Sequence, residues 1–316
     1  LTLNRGLVGP ADGGALIPYE FSTLVRVARD IREEAAALAA QRLAEITGEQ
    51  PASLEPATGD GCLMPEGGIA DIAIVIRSKN EAAWLGRTLA QIARQSRQPK
   101  EVVLVDNEST DETIRIARRF AQQLSLKIVT IRDSEFNFSR ALNLGIEQTT
   151  ASWVISLSAH CIPASPEWLA AFEQETLREE WSGEKRRLLA GVYGRQEPLD
   201  GVTSDVDKRD LWTTFGAGRR VQHDQDFFFH NANSMIRRDV WEQAEFRFDE
   251  SINGVEDRDW ARKVLRDGYS IVYAPLASVH HYHGIHQGRN EARARRIVSV
   301  IEMIQRRQPA DAAVES

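Results

Sequence analysis

The spacing of apolar residues changes at about residue 70. From Asp71 onward, short and almost continuously apolar runs alternate with stretches in which apolar residues recur three or four positions apart. A continuous apolar run is typical of a strand buried on both faces, and the wider spacing is typical of an amphipathic helix. The alternation predicts an α/β fold, a Rossmann-like and mainly parallel sheet with helices on both faces. We predict strands at 72–76, 102–105, 127–131 and 153–157.

Two helices of this region can be placed from the sequence. Leu85 and Leu89 mark the first, which ends before Pro99. The segment STDE at 109–112 precedes the second helix. It predicts a capping box, in which the Ser109 side chain bonds into the first helical turn.

The chain before Asp71 has a different texture. Apolar residues recur at helical spacing from Phe21 to Ile46, and a segment rich in proline, glycine and acidic residues follows. The first pattern predicts a helix and the second a linker. We predict four segments: an N-terminal helical extension at 1–50, a linker at 51–69, the α/β domain at 70–290, and an arginine-rich C-terminal helix with a tail at 291–316.

The composition narrows the classes of protein to consider. Of the 316 residues, 42% are hydrophobic and 27% are charged, proportions typical of soluble globular proteins. The net charge of −7 gives no support to nucleic-acid binding, which needs basic residues clustered on one face. Cys62 and Cys161 are too few for a disulfide framework and are typical of a reducing cytosol. No apolar run approaches the ~18 residues that span a bilayer, and no signal peptide opens the chain, so we expect a cytoplasmic protein.

Polar residues follow the predicted strands. Because ligands of an open parallel sheet bind outside the carboxyl ends of its strands, these residues should share one pocket. No GxGxxG follows the first strand and no GxxxxGK[ST] occurs, so the sequence supports neither an ordinary dinucleotide site nor a P-loop. The residues at this edge are Arg77, Asn80 and Glu81 after the first strand, Asp106 after the second, and Ser158 and His160 after the fourth.

Seven segments carry a family resemblance. In chain order they are IVIRSKNEAAWLGRTL, VVLVDNESTDET, FNFSRALNLGI, GVYGRQEP, NANSMIRRDVWE, FDESINGVEDRDWARKVLRDGYSIVYAP and VHHYHG. Together they resemble the family 2 glycosyltransferases with the A-type fold, in particular the bacterial, rhamnosyltransferase-like members that build surface polysaccharides. The resemblance covers about residues 70–286. It implies an inverting transferase that moves a hexosyl or deoxyhexosyl group from a nucleotide diphosphate sugar to a hydroxyl of a polysaccharide or glycolipid.

The resemblance also implies roles for individual residues. Asp257 would be the general base, with Glu256 beside it orienting the donor or acceptor, although acids are also common in a helix's first turn. The resemblance implies that Asp106 would bind the nucleotide, whereas its position alone favours the start of a turn. The other donor-binding candidates are Arg77, Asn80, Glu81, Arg140, Asn143, Ser158 and His160. The acceptor-binding candidates are Asn231, Asn233 and Trp260, and a structural role fits the two asparagines equally well.

One position departs from the family. Where the family usually carries Asp-x-Asp, which holds a divalent ion against the diphosphate, this chain has Ser-Ala-His at 158–160. One alternative keeps the ion, Mn²⁺ or Mg²⁺, on His160, with His281 or His283 and the diphosphate oxygens completing its shell. In the other, the donor binds without an ion, because His160 donates directly to phosphate or because protonated histidines and Arg289 replace the ion's charge. A structural zinc in HHYHGIH is a further option, although neither cysteine is near that segment in sequence.

Two other classes of function stay open. A non-catalytic nucleotide-sugar-binding or scaffold protein would explain the loss of both aspartates, but the retained acidic and histidine motifs favour an enzyme. A nucleotidyltransferase would need a glycine-rich loop after the first strand, and no glycine occurs there before Gly86. A lipid-linked acceptor would place the protein at the inner face of the cell membrane, where the arginine-rich last helix could contact anionic lipid. That contact and the oligomeric state are left open by the sequence.

Overall fold

The computed structural model describes residues 67–178, 180–182, 185–223, 227–252, 254–283 and 291–306. The predicted N-terminal helix and most of the predicted linker lie outside these residues. Within the described part, no helix has both the length and the apolar character needed to cross a bilayer.

Nine strands of the described chain form one sheet, and two more form a separate antiparallel pair. The large sheet has the order β3-β2-β1-β4-β10-β8-β11-β5, with β9 also paired to β11, and β6 pairs with β7. The strands are β1 (Ile69–Ser78), β2 (Gln98–Asp106), β3 (Leu126–Thr130), β4 (Trp153–Ser158), β5 (Cys161–Pro163), β6 (Glu180–Ser182), β7 (Lys185–Arg187), β8 (Leu189–Pro198), β9 (Arg220–Gln222), β10 (Asn233–Arg237) and β11 (Ser270–His281).

Each face of the sheet carries its own core, because alternate residues of a strand point to opposite faces. On one face, Ile74 and Leu104 belong to a cluster with Trp168, and on the other, Val75 and Val103 belong to a cluster with Trp260. This explains why the sequence shows continuous apolar runs. The helices are α1 (Leu85–Ala93), α2 (Thr113–Arg119), α3 (Phe138–Glu147), α4 (Trp168–Thr176), α5 (Asp205–Thr214), α6 (Arg238–Trp241), α7 (Glu256–Arg266) and α8 (Glu291–Arg306).

The sheet has a parallel half and a mixed half. Strands β3, β2, β1 and β4 are parallel, as predicted. Strand β10 is antiparallel to β4, β8 is antiparallel to β10, and β11 is parallel to β8. The predicted fold class is confirmed, with a mixed second half where a mainly parallel sheet was expected. These directions bring the carboxyl ends of β1, β2, β4 and β11 and the first residues of β10 to one edge.

The predicted capping box before α2 is wrong. The helix begins at Thr113, whose backbone N–H is accepted by the Asp111 carboxylate at 2.9 Å. The Ser109 hydroxyl instead accepts from the Asn80 backbone N–H at 2.8 Å and donates to the Asp106 carboxylate at 2.5 Å. Ser109 therefore ties together the loops that follow β1 and β2.

Candidate functional site

A cavity of about 540 Å³ opens at the edge where these strand ends meet. Its position agrees with the rule that open α/β sheets bind ligands outside their carboxyl ends. Predicted site residues from five separate segments share its wall: Arg77, Glu81, Ser158, His160, Asn231, Glu256, Asp257, His281 and His283.

An acidic pair occupies the first turn of α7. Glu256 is buried, and its carboxylate accepts from the Arg77 guanidinium at 3.3 Å, the Asn231 side-chain amide at 3.4 Å and the Gly254 backbone N–H at 3.2 Å. Asp257 is half-buried and accepts backbone N–H groups of Asn231 at 3.3 Å and Arg258 at 2.8 Å. Glu256 is thus anchored in the wall, and Asp257 keeps a face on the cavity.

Burial raises the pKa of both carboxyl groups. For Glu256, the nearby charge of Asp257 adds to the desolvation, while Arg77 opposes it. For Asp257, burial is again the largest cause, and the hydrogen bonds from Asn231 and Arg258 oppose it. A carboxylate with a raised pKa binds a proton more strongly, which suits a group that removes one.

Arg77 links the sheet edge to the acidic pair. It lies at the end of β1, and its guanidinium is 5.0 Å from the centre of the Phe138 ring while also donating to the Phe138 carbonyl at 3.4 Å. The ring and the carbonyl hold the cation in place, so that Glu256 has a fixed positive partner.

Three histidines form a cluster on the cavity wall. The ring centres of His160 and His281 are 5.2 Å apart, and His283 lies 4.8 Å from the first and 4.2 Å from the second. The pairing of β5 with β11 also places Cys161 opposite His281. His160, Cys161 and His281 each offer one ligand atom, and these three atoms lie within 4.8 Å of one another. The cysteine that was distant in sequence is therefore adjacent in space.

Burial keeps Cys161 and His281 uncharged. It raises the pKa of the Cys161 thiol, and it lowers the pKa of His281 well below the usual value for histidine, with the other histidines adding to that shift. In both cases desolvation disfavours the charged form of the group.

Hydrogen bonds fix which nitrogen of each ring carries a hydrogen. His281 Nδ1 lies 2.7 Å from Gln196 Oε1, and the other atom of that amide, Nε2, lies 3.1 Å from His230 Nδ1. His230 Nδ1 also accepts from the Ala232 backbone N–H at 3.3 Å, so the Gln196 amide nitrogen donates to it and the Gln196 oxygen accepts from His281. His160 Nδ1 lies 2.8 Å from the Glu81 carboxylate, which can only accept when ionised.

One aromatic contact at the cavity has no signal in the sequence. Trp84, just before α1, stacks on Tyr282 with ring centres 4.8 Å apart and planes 5° apart. Tyr282 stands between His281 and His283, and its ring is also edge-on to His160 at 5.1 Å. The stack therefore supports the histidine cluster from behind.

Apolar side chains line another part of the cavity. Ile297 and Ile301 of α8 face it together with Phe228 and Val255. The same helix packs Ile297 and Ile301 on a small core formed by Ile252 and Val255, just before the acidic pair. Helix α8 is thus part of the cavity wall rather than a separate tail.

The family model described as glycosyl transferase family 2 matches residues 73–243. The chain belongs to glycosyltransferase family 2. Over 159 residues it is 33% identical to a PGL/p-HBAD biosynthesis glycosyltransferase of Mycobacterium tuberculosis, covering 50% of this chain and 55% of that one. Over 201 residues it is 28% identical to the O-antigen chain rhamnosyltransferase WbaN of Salmonella anatum, covering 60% of this chain and 59% of that one. The chain thus spans little more than half the length of these relatives.

Solved structures support the same fold. A mannosyltransferase from Pyrobaculum calidifontis in complex with GDP-Man and Mn²⁺ matches with a TM-score of 0.56 at 19% identity, over 90% of this chain and 75% of that one. Staphylococcus aureus TarS 1-349 matches with a TM-score of 0.51 at 16% identity, over 74% of this chain and 64% of that one. Both likenesses concern the fold, and the predicted A-type glycosyltransferase fold is confirmed.

Two of the predicted donor-binding residues lie beside the cavity rather than on its wall. Asp106 is buried and accepts from the Ser78 hydroxyl at 3.0 Å and from the Ser109 backbone N–H at 2.9 Å. Asn80 has a left-handed backbone, with φ of 55°, and its side chain accepts from the Thr110 backbone N–H at 2.8 Å. Both residues shape the loops after β1 and β2, and their contact with the nucleotide stays a prediction.

Two further donor-binding predictions need correction. Arg140 and Asn143 line a separate cleft on the other side of α3, with acidic neighbours that include Glu250. The Asn143 amide donates to the Phe248 carbonyl at 2.8 Å and accepts from the Trp241 indole at 3.1 Å. Its side chain therefore holds α6 and the following loop against α3.

The acceptor-binding predictions survive only in part. Asn231 lines the cavity and donates to Glu256. Asn233 is fully buried, because its amide bridges the carbonyls of Arg195 and Ala277 and accepts from the Trp168 indole. Trp260 is 1% exposed and packs against Phe229 in the core. Asn233 and Trp260 are thus structural residues that do not reach the cavity.

Proposed function

We propose that this chain is an inverting glycosyltransferase that moves a hexosyl or deoxyhexosyl group from a nucleotide diphosphate sugar to a hydroxyl of a polysaccharide or glycolipid. The observation that carries the proposal is the sharing of one cavity by the acidic pair of α7 and a histidine cluster. Such a reaction needs a group that takes a proton from the acceptor and a group that stabilises the leaving diphosphate. The cavity offers one candidate for each.

Asp257 is the proposed general base. As the acceptor oxygen attacks the anomeric carbon, the bond to the diphosphate breaks and the acceptor proton passes to the Asp257 carboxylate. The two backbone N–H groups on this carboxylate orient it, and burial gives it a raised pKa. Glu256, held by Arg77, positions the first turn of α7 and the substrate hydroxyls beside it.

The histidine cluster is the proposed site of the donor diphosphate. His160 and His281 could hold a divalent ion through their Nε2 atoms, and such an ion would neutralise negative charge that develops on the leaving group. Ser158 and Arg77 line the same cavity and are the further proposed donor contacts. The mannosyltransferase of similar fold that binds GDP-Man and Mn²⁺ supports a divalent ion.

The apolar wall from α8 favours an acceptor with an apolar part. Ile297, Ile301 and Phe228 offer no hydrogen bonds, so they would leave the hydroxyl groups of a bare sugar unpaired. A lipid-linked glycan or a glycolipid would fill this wall, and relatives named for O-antigen chains and for PGL/p-HBAD biosynthesis support that class. We therefore propose that the protein acts at the cytoplasmic face of the cell membrane, in the synthesis of cell-envelope polysaccharide.

The test is a panel of UDP-, GDP- and dTDP-sugars offered with octyl glycosides as acceptors. We expect one donor to be consumed with formation of a new glycoside, which mass spectrometry would detect. The alternative of a non-catalytic nucleotide-sugar-binding or scaffold protein predicts binding of a nucleotide, measured by calorimetry, without any product.

A further inference from the structure

Two histidines of the cluster, His160 and His281, use the same ring nitrogen, Nδ1, for a hydrogen bond. His160 Nδ1 bonds to Glu81, and His281 Nδ1 bonds to Gln196, and both partners supply an oxygen that accepts. In a neutral imidazole with hydrogen on Nδ1, the lone pair is on Nε2. His281 Nε2 is buried and has no hydrogen-bond partner within the described chain.

A lone pair in this position favours a cation. A phosphate oxygen is itself an acceptor and would meet the Nε2 lone pair with repulsion, whereas a metal ion would accept it. The hydrogen bond from Nδ1 to a carboxylate or amide oxygen is also the usual support of a metal-binding histidine, because it fixes the ring and raises its basicity. For His281, the geometry thus argues against direct donation from Nε2 to the diphosphate.

The potential metal-ligand atoms of His160, Cys161 and His281 are nitrogen and sulfur. Cys161 Sγ and one ring nitrogen each of His160 and His281 lie within 4.8 Å of one another. Of the described residues that line the cavity, three have carboxylates, and each is engaged elsewhere: Glu81 bonds to His160, while Glu256 and Asp257 form the acidic pair of α7. Among the described residues that line the cavity, no carboxylate is thus left unengaged as an oxygen ligand for Mg²⁺.

We infer that His160 and His281 bind a divalent transition metal through nitrogen, with Zn²⁺ and Co²⁺ preferred over Mg²⁺. Mg²⁺ requires oxygen ligands and gives up its water reluctantly, whereas imidazole and sulfur ligands suit Zn²⁺ and Co²⁺. The inference deepens the proposed function and rests on it only where it places the ion beside the donor diphosphate.

The experiment is calorimetric titration of the full chain with ZnCl₂, CoCl₂, MnCl₂ or MgCl₂, without nucleotide. We expect one equivalent of Zn²⁺ or Co²⁺ to bind at least about a hundredfold more tightly than Mg²⁺, following the ligand preference of these ions. The visible absorption spectrum of the Co²⁺ complex gives an independent readout of nitrogen ligation. Equal affinity for Mg²⁺, or Zn²⁺ that scatters over several weak sites, would overturn the inference.

Variants assign the ligands. His160→Ala and His281→Ala should each abolish the tight Zn²⁺ site and the Co²⁺ spectrum. His281→Gln, which occupies similar space, repeats the test should the alanine variant unfold. His280→Ala is the matched control, because His280 is next to His281 on β11 but bonds to the Pro198 carbonyl at 3.3 Å. If His280→Ala weakens Zn²⁺ binding as much as His281→Ala does, the assignment is wrong.

A positioning role for Glu81 can be tested in the same titration. Glu81→Gln keeps an oxygen near His160 but removes the charge, and we expect about a tenfold loss of Zn²⁺ affinity, the lower end of the range for residues that orient metal ligands. Unchanged affinity would contradict this role.

Failure of this inference is distinguishable from failure of the proposed function. Sugar transfer that persists in EDTA, with no tight metal site, would overturn the metal inference and leave the transferase standing. Tight Zn²⁺ binding without turnover of any donor would do the reverse.

Discussion

The acidic pair and the histidine cluster share one cavity but are held in opposite ways. The carboxylates of Glu256 and Asp257 are surrounded by donors, namely Arg77 and backbone or side-chain N–H groups. The rings of His160 and His281 are held by acceptors, namely Glu81 and Gln196. The first arrangement leaves a carboxylate ready to receive a proton, and the second leaves nitrogen lone pairs ready to receive a cation. The cavity therefore has an acidic end, where hydrogen-bond donors surround the carboxylates, and a histidine end, where hydrogen-bond acceptors hold the rings.

The largest expected effect comes from changing the proposed base at the acidic end of the cavity. Asp257→Asn keeps the shape of the side chain but cannot accept the proton, so kcat should fall by about 10²- to 10⁴-fold. The affinity for the nucleotide, measured by calorimetry, should stay within a few-fold of the parent. Asp259→Asn is the control, because Asp259 is in the same turn but pairs with Arg262 at 2.8 Å. Turnover of Asp257→Asn within about tenfold of the parent would rule out the base assignment.

The pH dependence should reveal the buried state of the same carboxylate. A base acts only when deprotonated, so kcat/KM should fall about tenfold per pH unit below its pKa. Because burial raises the pKa of Asp257, this loss should begin at a higher pH than the ~3.9 of an ordinary aspartate. Folding stability changes with pH in the opposite direction. A carboxyl group whose pKa is raised in the folded state stabilises that state when protonated, and this contribution is lost as pH rises through the raised pKa. A rate profile that is flat down to about pH 4 would contradict the prediction.

Removing the Arg77 guanidinium, which pairs with Glu256, should lower the free energy of unfolding. Arg77→Met leaves the buried Glu256 carboxylate without its charged partner, and we expect a loss of about 3 kcal/mol in the free energy of unfolding, the lower end for buried pairs because Asn231 and Gly254 still donate. Denaturant unfolding would measure it. The double variant Arg77→Met/Glu256→Gln should recover most of the loss, and strictly additive losses would show that the two residues do not act as a pair.

The histidine end can be weakened without touching a metal ligand. Gln196→Leu removes the oxygen that accepts from His281 Nδ1, so the Nε2 lone pair is no longer enforced, and Zn²⁺ affinity should fall about 10- to 100-fold. Gln222→Leu is the control, since Gln222 is also buried and bonds to the Tyr193 hydroxyl at 3.1 Å, away from the cluster. Equal Zn²⁺ affinity in both variants would show that the hydrogen bond from His281 to Gln196 does not support the metal site.

The smallest expected effect concerns the apolar wall. Ile297→Ser should raise KM for octyl glycoside acceptors by about tenfold, because it removes contact worth about 1.5 kcal/mol, while the donor KM should not change. Val298→Ser is the control on the same helix, because Val298 is 53% exposed and does not line the cavity. Equal KM changes in the two variants would mean that α8 does not contact the acceptor.

Local pattern was enough to predict the parallel half of the fold. The apolar runs of β1, β2 and β4 appear as predicted, because a strand covered on both faces needs apolar residues at every position. Residues directly after these strands, such as Arg77 and His160, could be assigned to one edge for the same reason. The acidic pair also followed from its motif.

Long-range pairing is what the sequence could not supply. Cys161 joins His281 only because β5 pairs with β11, more than a hundred residues away along the chain. Trp260 was misplaced because the sequence does not show which part of α7 other elements cover, and its ring packs against Phe229 in the core.

The most direct test of the central account is the anomeric configuration of the first product. With the donor found in the panel and an octyl glycoside acceptor, proton NMR of the product would show the configuration of the new glycosidic bond. If Asp257 removes the acceptor proton while the diphosphate leaves from the opposite face, the new glycosidic bond has the inverted configuration. A product that retains the donor's configuration would contradict the account.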